Sequence, residues 1–189
     1  MIQRKILLFS KSPRRSQLLR EAGFQFEVVS REVDESYPAD LEQGQVAEYI
    51  ARKKARAARE LLRPGEVILT ADTVVVLEGR IYEKPVDKAD GQRMLRELSG
   101  KVHEVITGVC LVSEKEERSF SVRSKVHFSP LSEAEIDYYL ETYQPYDKAG
   151  AYGIQEWIGH CKIERIEGTY PSVMGLPVDA VYRELATLA

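Results

Sequence analysis

The chain has 189 residues, with 27 Lys plus Arg against 30 Asp plus Glu and a formal net charge of −3. It is long enough to bury a substantial core and too evenly charged to be drawn as a whole to nucleic acid or an anionic membrane. Cys110 and Cys161 show no CxxC spacing and no nearby His pair, so they read as reduced structural thiols of a cytoplasmic protein. The first apolar run is too short for a secretion signal, and no stretch approaches the ~18 apolar residues of a membrane span.

In chain order, strand and helix signals alternate. Residues 4–9 predict a buried strand. Residues 13–22 predict a helix with Leu18, Leu19 and Ala22 on one face and Gly23 as its stop. Ser12 is placed to cap that helix and Pro13 to begin it. A second strand, FEVVS, follows. Residues 45–62 carry Val46, Ile50, Ala51, Ala55, Ala58 and Leu62 at helical spacing, until RPGE ends the element. VILTADTVVVL, residues 67–77, predicts a buried strand interrupted or turned at Thr70 to Thr73, with EGR as a tight turn beyond it. A helix over 87–98, the buried strand HEVITGVCLV and the strand RSFSVRSKVHF come next, the two strands pairing as a hairpin through SEKEE. LSEAEIDYYLETY holds Ser132 and, three residues on, Glu135, the capping-box pattern. VDAVYRELATL forms a closing helix after Pro177. No repeat or linker breaks the series, so the expectation is a single α/β domain over residues 1–189 with a mixed sheet.

The chemistry begins at KILLFSKSPRRSQLLREAG, residues 5–23. Capping accounts for Ser12 and Pro13, whereas Arg14 and Arg15 at a helix N-terminus are each unfavourable by about 0.3–1 kcal/mol unless an anion offsets them. A phosphate at the helix start and a solvated pair of guanidiniums both remain open on this stretch alone. No GxxxxGK[ST] is present, which excludes a P-loop. ARKKARAAR adds a second basic cluster, with Lys54 at the border of the apolar face. The loop REVDESYPAD holds Glu32, Asp34, Glu35 and Asp40. Asp72 falls inside an apolar strand, where an ionised carboxylate needs a partner, a cation or a catalytic use. One loop acid and one strand acid suit Mg²⁺, which takes one or two carboxylates and fills its shell with water and phosphate. Lys84 follows a turn in YEKP; Asp147, Lys148 and Gln155 lie in QPYDKAGAYGIQ; and SVMGLP makes a tight turn before the last helix.

Taken together, SKSPRR, ARKKARA, TADTVV, EKP, LSGKVHEVITGV, DKAGAYGIQ and SVMGLP resemble the Maf family of nucleoside triphosphate pyrophosphatases, in order from residue 6 to residue 182. The resemblance implies an elongated mixed sheet with flanking helices, inosine triphosphatase-like, with two lobes around a cleft and a homodimer. It also implies hydrolysis between the α and β phosphates with a divalent cation, Mg²⁺, Mn²⁺ or Co²⁺. The GIQ ending, Arg14 and Thr73 resemble the branch acting on dTTP, UTP and modified uridine triphosphates. By the same resemblance, Ser12, Arg14 and Arg15 hold the triphosphate, Lys54 and Lys84 neutralise it, and Thr73 contacts substrate. Glu35 and Asp72 hold metal or the attacking water, with Asp72 as general base. Gln155 reads the pyrimidine edge, and Asp147 and Lys148 shape that loop or touch phosphate. Phe9 and Gln144 depart from the family's usual Ala and Glu. The family's link to septum formation also admits a nucleotide-binding regulator without significant hydrolysis.

Overall fold

The computed structural model describes residues 4–189. The elements run β1 (Ile6–Phe9), α1 (Pro13–Glu21), β2 (Phe26–Val29), α2 (Gln43–Ala58) with a 3₁₀ turn (Arg59–Leu61), β3 (Val67–Leu77), β4 (Arg80–Tyr82), α3 (Lys88–Leu98) and β5 (Val102–Val112). They continue with β6 (Glu117–Phe128), α4 (Glu133–Tyr143), a 3₁₀ turn (Ala149–Ala151), α5 (Trp157–Cys161), β7 (Ile163–Glu167), α6 (Tyr170–Met174) and α7 (Val178–Thr187). Seven strands form one sheet in the order β2-β1-β3-β5-β6-β7, with β4 beside β3. It is mixed: β1 runs parallel to β2 and β3, whereas β3/β4 and β6/β7 are antiparallel. Among the described residues, no helix is long and apolar enough to cross a membrane.

Most expected elements form where the sequence puts them, for the stated reasons. Gly23 at φ 75° ends α1, with the Phe24 amide donating to the Leu19 carbonyl at 3.0 Å. Ser132 and Glu135 close a full capping box at the start of α4. Glu78 and Gly79, both at positive φ, make the tight turn joining β3 to β4.

Three expectations are corrected. Ser12 stands at the N-cap of α1, but its side chain makes no capping bond. Its amide instead donates to Ser10 Oγ at 3.1 Å, so the turn into the helix is organised by Ser10. The second helix gives way after Ala58 to the 3₁₀ turn, short of residue 62. β3 is continuous through residues 70–73, because its polar side chains are satisfied where they stand: Thr70 Oγ1 donates to the Ala51 carbonyl at 2.6 Å, and Asp72 meets Lys54.

The chain divides into two compact units. One comprises residues up to Asp72, Thr107–Val122 and Gly175–Ala189; the other comprises Thr73–Ile106 and Arg123–Met174. In the first unit, the core joins Leu7, Phe9, Ala51, Ala55, Ala58, Ile68, Cys110 and Val112. Phe9 joins that core together with the alanines of α2, Ala51, Ala55 and Ala58. Small residues bring α2 close to the sheet, and at Gly108 a Cβ would fall 2.2 Å from the Glu48 amide nitrogen. The second unit buries Met94, Leu95 and Leu98 of α3 and Ile136, Tyr139 and Leu140 of α4. Gly91 makes room for Leu140 there. His103, Phe128 and Tyr152 form an edge-to-face cluster in the same unit.

Candidate active site

In the first unit, the loop after β1 and the first turn of α1 carry Arg14 and Arg15. Arg15 Nε donates to the Gly175 carbonyl at 2.9 Å, and its Nη1 lies 3.4 Å from Ser10 Oγ. Burial pushes the Arg15 pKa down from its ordinary value; Asp72 and Glu35 oppose that shift and Arg14 adds to it. A guanidinium stays charged under such a shift, so the site holds a fixed, partly desolvated cation facing two carboxylates.

Lys54, on α2, sits between those carboxylates. Its Nζ is 2.7 Å from Glu35 Oε1 and 2.7 Å from Asp72 Oδ1. This answers the question raised by an acid inside an apolar strand: Asp72 is held by an ammonium reaching across from the neighbouring helix.

The loop that carries Glu35 is fixed by its neighbour. Asp34 accepts from the Ser36 amide at 2.9 Å, from Ser36 Oγ at 2.6 Å and from Lys53 Nζ at 2.7 Å. Hydrogen bonds from Lys53 and Ser36 hold the Asp34 carboxyl well below the usual carboxylate range. Consecutive lysines on one helix thus grip consecutive acids on one loop. The sequence alone gives Lys53 and Asp34 no role: the adjacent pairs DE and KK show charge, and their pairing is visible only in the fold.

The second unit holds the other predicted residues. Thr73 follows Asp72 on β3, and Lys84 is exposed beyond β4. The Gly150 amide donates to the Glu83 carbonyl at 3.1 Å, tying Lys84's segment to the loop of residues 145–156. In that loop, Lys148 Nζ lies 2.7 Å from Asp147 Oδ1 and 3.1 Å from Glu156 Oε1. Gln155 Oε1 is buried and has no hydrogen-bond partner among the described residues. Glu156 and Tyr139, which meet in a short hydrogen bond, were not singled out from the sequence.

The structure therefore gathers Arg14, Arg15, Glu35, Lys54 and Asp72 into one electrostatic cluster, and Asp147 and Lys148 into another that shares its loop with Gln155. Glu35 and Asp72 offer hard oxygen donors already bridged by a cationic group. Carboxylate oxygens of this kind are the donors a hard divalent ion takes, and in this structure Lys54 lies between the two. Among the described residues, no group of three or more His, Cys, Asp or Glu makes a fuller metal cage. Both cysteines are free, Cys110 buried and Cys161 exposed.

The profile described as Maf-like protein matches residues 5–188. The chain belongs to this family. A dTTP/UTP pyrophosphatase of Bacteroides thetaiotaomicron is 49% identical over 97% of this chain and 96% of its own length. One from Porphyromonas gingivalis is 50% identical over 96% of this chain and 92% of its own length. Among solved structures, the Staphylococcus aureus Ham1 protein aligns with 66% of this Maf-like chain and 71% of its own, at 13% identity and a TM-score of 0.48.

Proposed function

We propose that this Maf-like protein is a nucleoside triphosphate pyrophosphatase that hydrolyses dTTP and UTP to the monophosphate and pyrophosphate. Relatives about half identical over nearly the full chain bear that name. The observation that carries the reading is the meeting of Arg14, Arg15 and Lys54 with Glu35 and Asp72. Cations gathered at a helix start beside paired acids are the parts needed to hold a polyphosphate. Modified uridine triphosphates belong to the same substrate class.

In this reading, Ser12, Arg14 and Arg15 bind phosphate oxygens at the start of α1, while Lys54, Lys84 and Lys148 balance the remaining charge. Asp72 orients a water for attack on the α phosphorus and takes its proton; the new bond is water oxygen to phosphorus, and the bond to the pyrophosphate oxygen breaks. Glu35 and Asp72 would hold a divalent cation, Mg²⁺, Mn²⁺ or Co²⁺, which supplies neutralisation of phosphate charge when bound. Gln155 Oε1, a buried acceptor without a partner among the described residues, fits the N3–H of uracil or thymine, a donor that cytosine lacks. Thr73 and Asp147 line the substrate. The family resemblance extends the proposal to a single Maf-like domain acting as a cytoplasmic homodimer.

The test is product analysis. The protein is incubated with Mg²⁺ or Mn²⁺ and dTTP, UTP, CTP or GTP, and pyrophosphate is separated from orthophosphate. Pyrophosphate with monophosphate from dTTP and UTP is the expected result. Orthophosphate alone overturns it in favour of a phosphatase, and binding without turnover overturns it in favour of a nucleotide-binding regulator. Gln155→Ala is expected to narrow the preference for UTP over CTP.

A further inference from the structure

The loop of residues 145–156 has little regular structure, yet it carries three of the residues assigned to substrate. Its backbone includes Gly150 and Ala151 at positive φ and a single 3₁₀ turn. Such a segment keeps one conformation only if cross-links hold it. Glu156 supplies two, one from each oxygen. Oε1 meets Lys148 Nζ at 3.1 Å, and Oε2 accepts from the Tyr139 hydroxyl. The same hydroxyl accepts from the Gly153 amide at 2.9 Å.

These bonds lie out of solvent. The side chains of Lys148 and Glu156 are 10% and 16% exposed, and Tyr139 is fully buried on α4. Burial first, and then the bond to Glu156, push the Tyr139 pKa up, so the phenol keeps its proton and can donate to the carboxylate while accepting from the amide. Asp147, the other partner of Lys148, is 55% exposed and cannot by itself compensate a buried ammonium. Gly153 lets both side chains approach the backbone closely, since a Cβ there would lie 2.8 Å from Gln155 Nε2 and 3.0 Å from Glu156 Cδ.

We propose that Glu156 is a positioning residue that couples the Lys148 ammonium to the Gly153 backbone through Tyr139, so that phosphate contact and base reading are set together. The proposal rests on the reading in which Lys148 and Gln155 meet the nucleotide. Glu156 touches no reacting atom; its effect passes through the two groups it holds.

Two variants separate the links. Glu156→Gln keeps the shape and an acceptor for Tyr139 but removes the charge opposite Lys148. Tyr139→Phe removes the tie to Gly153 and leaves the ion pair. Wild-type product analysis comes first, followed by kcat and KM for dTTP, UTP and CTP, thermal melting, and amide exchange at Gly153 by NMR. In Glu156→Gln, KM for UTP is expected to rise about tenfold, the scale of one charge-assisted hydrogen bond, with kcat within about twofold. Both variants narrow the UTP-to-CTP preference and speed exchange at Gly153, and the double variant falls short of the product of the single effects. Unchanged KM and selectivity in both variants would overturn the proposal, as would a lowered melting temperature with no kinetic change. If the wild type releases no pyrophosphate, the functional reading fails. Exchange at Gly153 then decides the positioning claim by itself, since an unaltered rate in both variants refutes it.

Discussion

Lys54 on α2 and Asp72 on β3 meet at 2.7 Å with side chains only 12% and 14% exposed. In that setting, removing charge from Asp72 while keeping its shape isolates its chemical role. Asp72→Asn retains an oxygen for Lys54 Nζ, and Glu35 still balances the ammonium, so the fold is expected to hold. Turnover should fall by about 10²- to 10⁴-fold, the usual range for loss of a general base. Pyrophosphate release and a circular dichroism melt measure the two halves. A variant that still turns over at the wild-type rate removes Asp72 from the role of base.

The parts of the site legible in the sequence were those where a residue broke a local rule. Arg14 and Arg15 stood against a helix dipole, and Asp72 stood inside an apolar strand; both conflicts were visible without coordinates, and all three residues belong to one cluster. The helices of nine residues or more were legible from helical spacing, and β1 and β2, of four residues each, from apolar or β-branched runs. β4, of three residues, and β7, α5 and α6, of five each, offered neither signal. The break expected in β3 failed for another reason: Thr70 looks polar in sequence, but a single bond to the Ala51 carbonyl satisfies it. Glu156 and Lys53 escaped notice because an exposed-looking charge reveals its partner only once the chain is folded.

Lys53 yields a prediction about the loop rather than the chemistry. Lys53→Met removes the donor to Asp34 and to the Ser36 carbonyl and hydroxyl but leaves the bonds from Ser36 to Asp34, so the loop should loosen without unfolding the protein. Because Glu35 is the next residue, the expected effect is weaker Mn²⁺ binding in the absence of nucleotide, by about twofold to fivefold on the scale of an exposed ion pair. Titration calorimetry checks it. Unchanged Mn²⁺ affinity would show that Glu35 does not depend on this clamp.

Gly108 is a stability position. A methyl group there would lie 2.2–2.4 Å from the backbone of Ala47 and Glu48 in α2, and backbone atoms cannot turn aside as a flexible side chain would. Gly108→Ala is expected to cost about 3 kcal/mol or more, the upper range for overpacking a core. Urea denaturation measures it. A loss under about 1 kcal/mol would mean that α2 can shift on the sheet.

His103 makes stability depend on pH. It is 1% exposed, its Nε2 lies 2.8 Å from the Tyr152 hydroxyl, and burial, with a smaller effect from His127, pushes its pKa down to about 3. An unfolded His binds a proton below about pH 6.5, whereas the folded one stays neutral until about pH 3. Between those values the unfolded chain holds more protons, so stability rises with pH and is lost as pH falls. The slope approaches about 1.4 kcal/mol per pH unit once below the unfolded pKa. Carboxylates held low by ion pairs, such as Asp90 and Glu135, begin to add their own loss about one pH unit above their ordinary values of 3.8 and 4.5. The window from about pH 5.5 to 6.5 therefore separates His103 from the carboxylates. Urea unfolding across it should show the slope in the wild type and its loss in His103→Gln, whose amide keeps a partner for Tyr152. Because Tyr152 sits in the loop that carries Gln155, the same acid range should loosen that loop before global unfolding, seen as faster amide exchange at Gly153. A wild type with flat stability over that range would mean that His103 protonates in place without disturbing its aromatic neighbours.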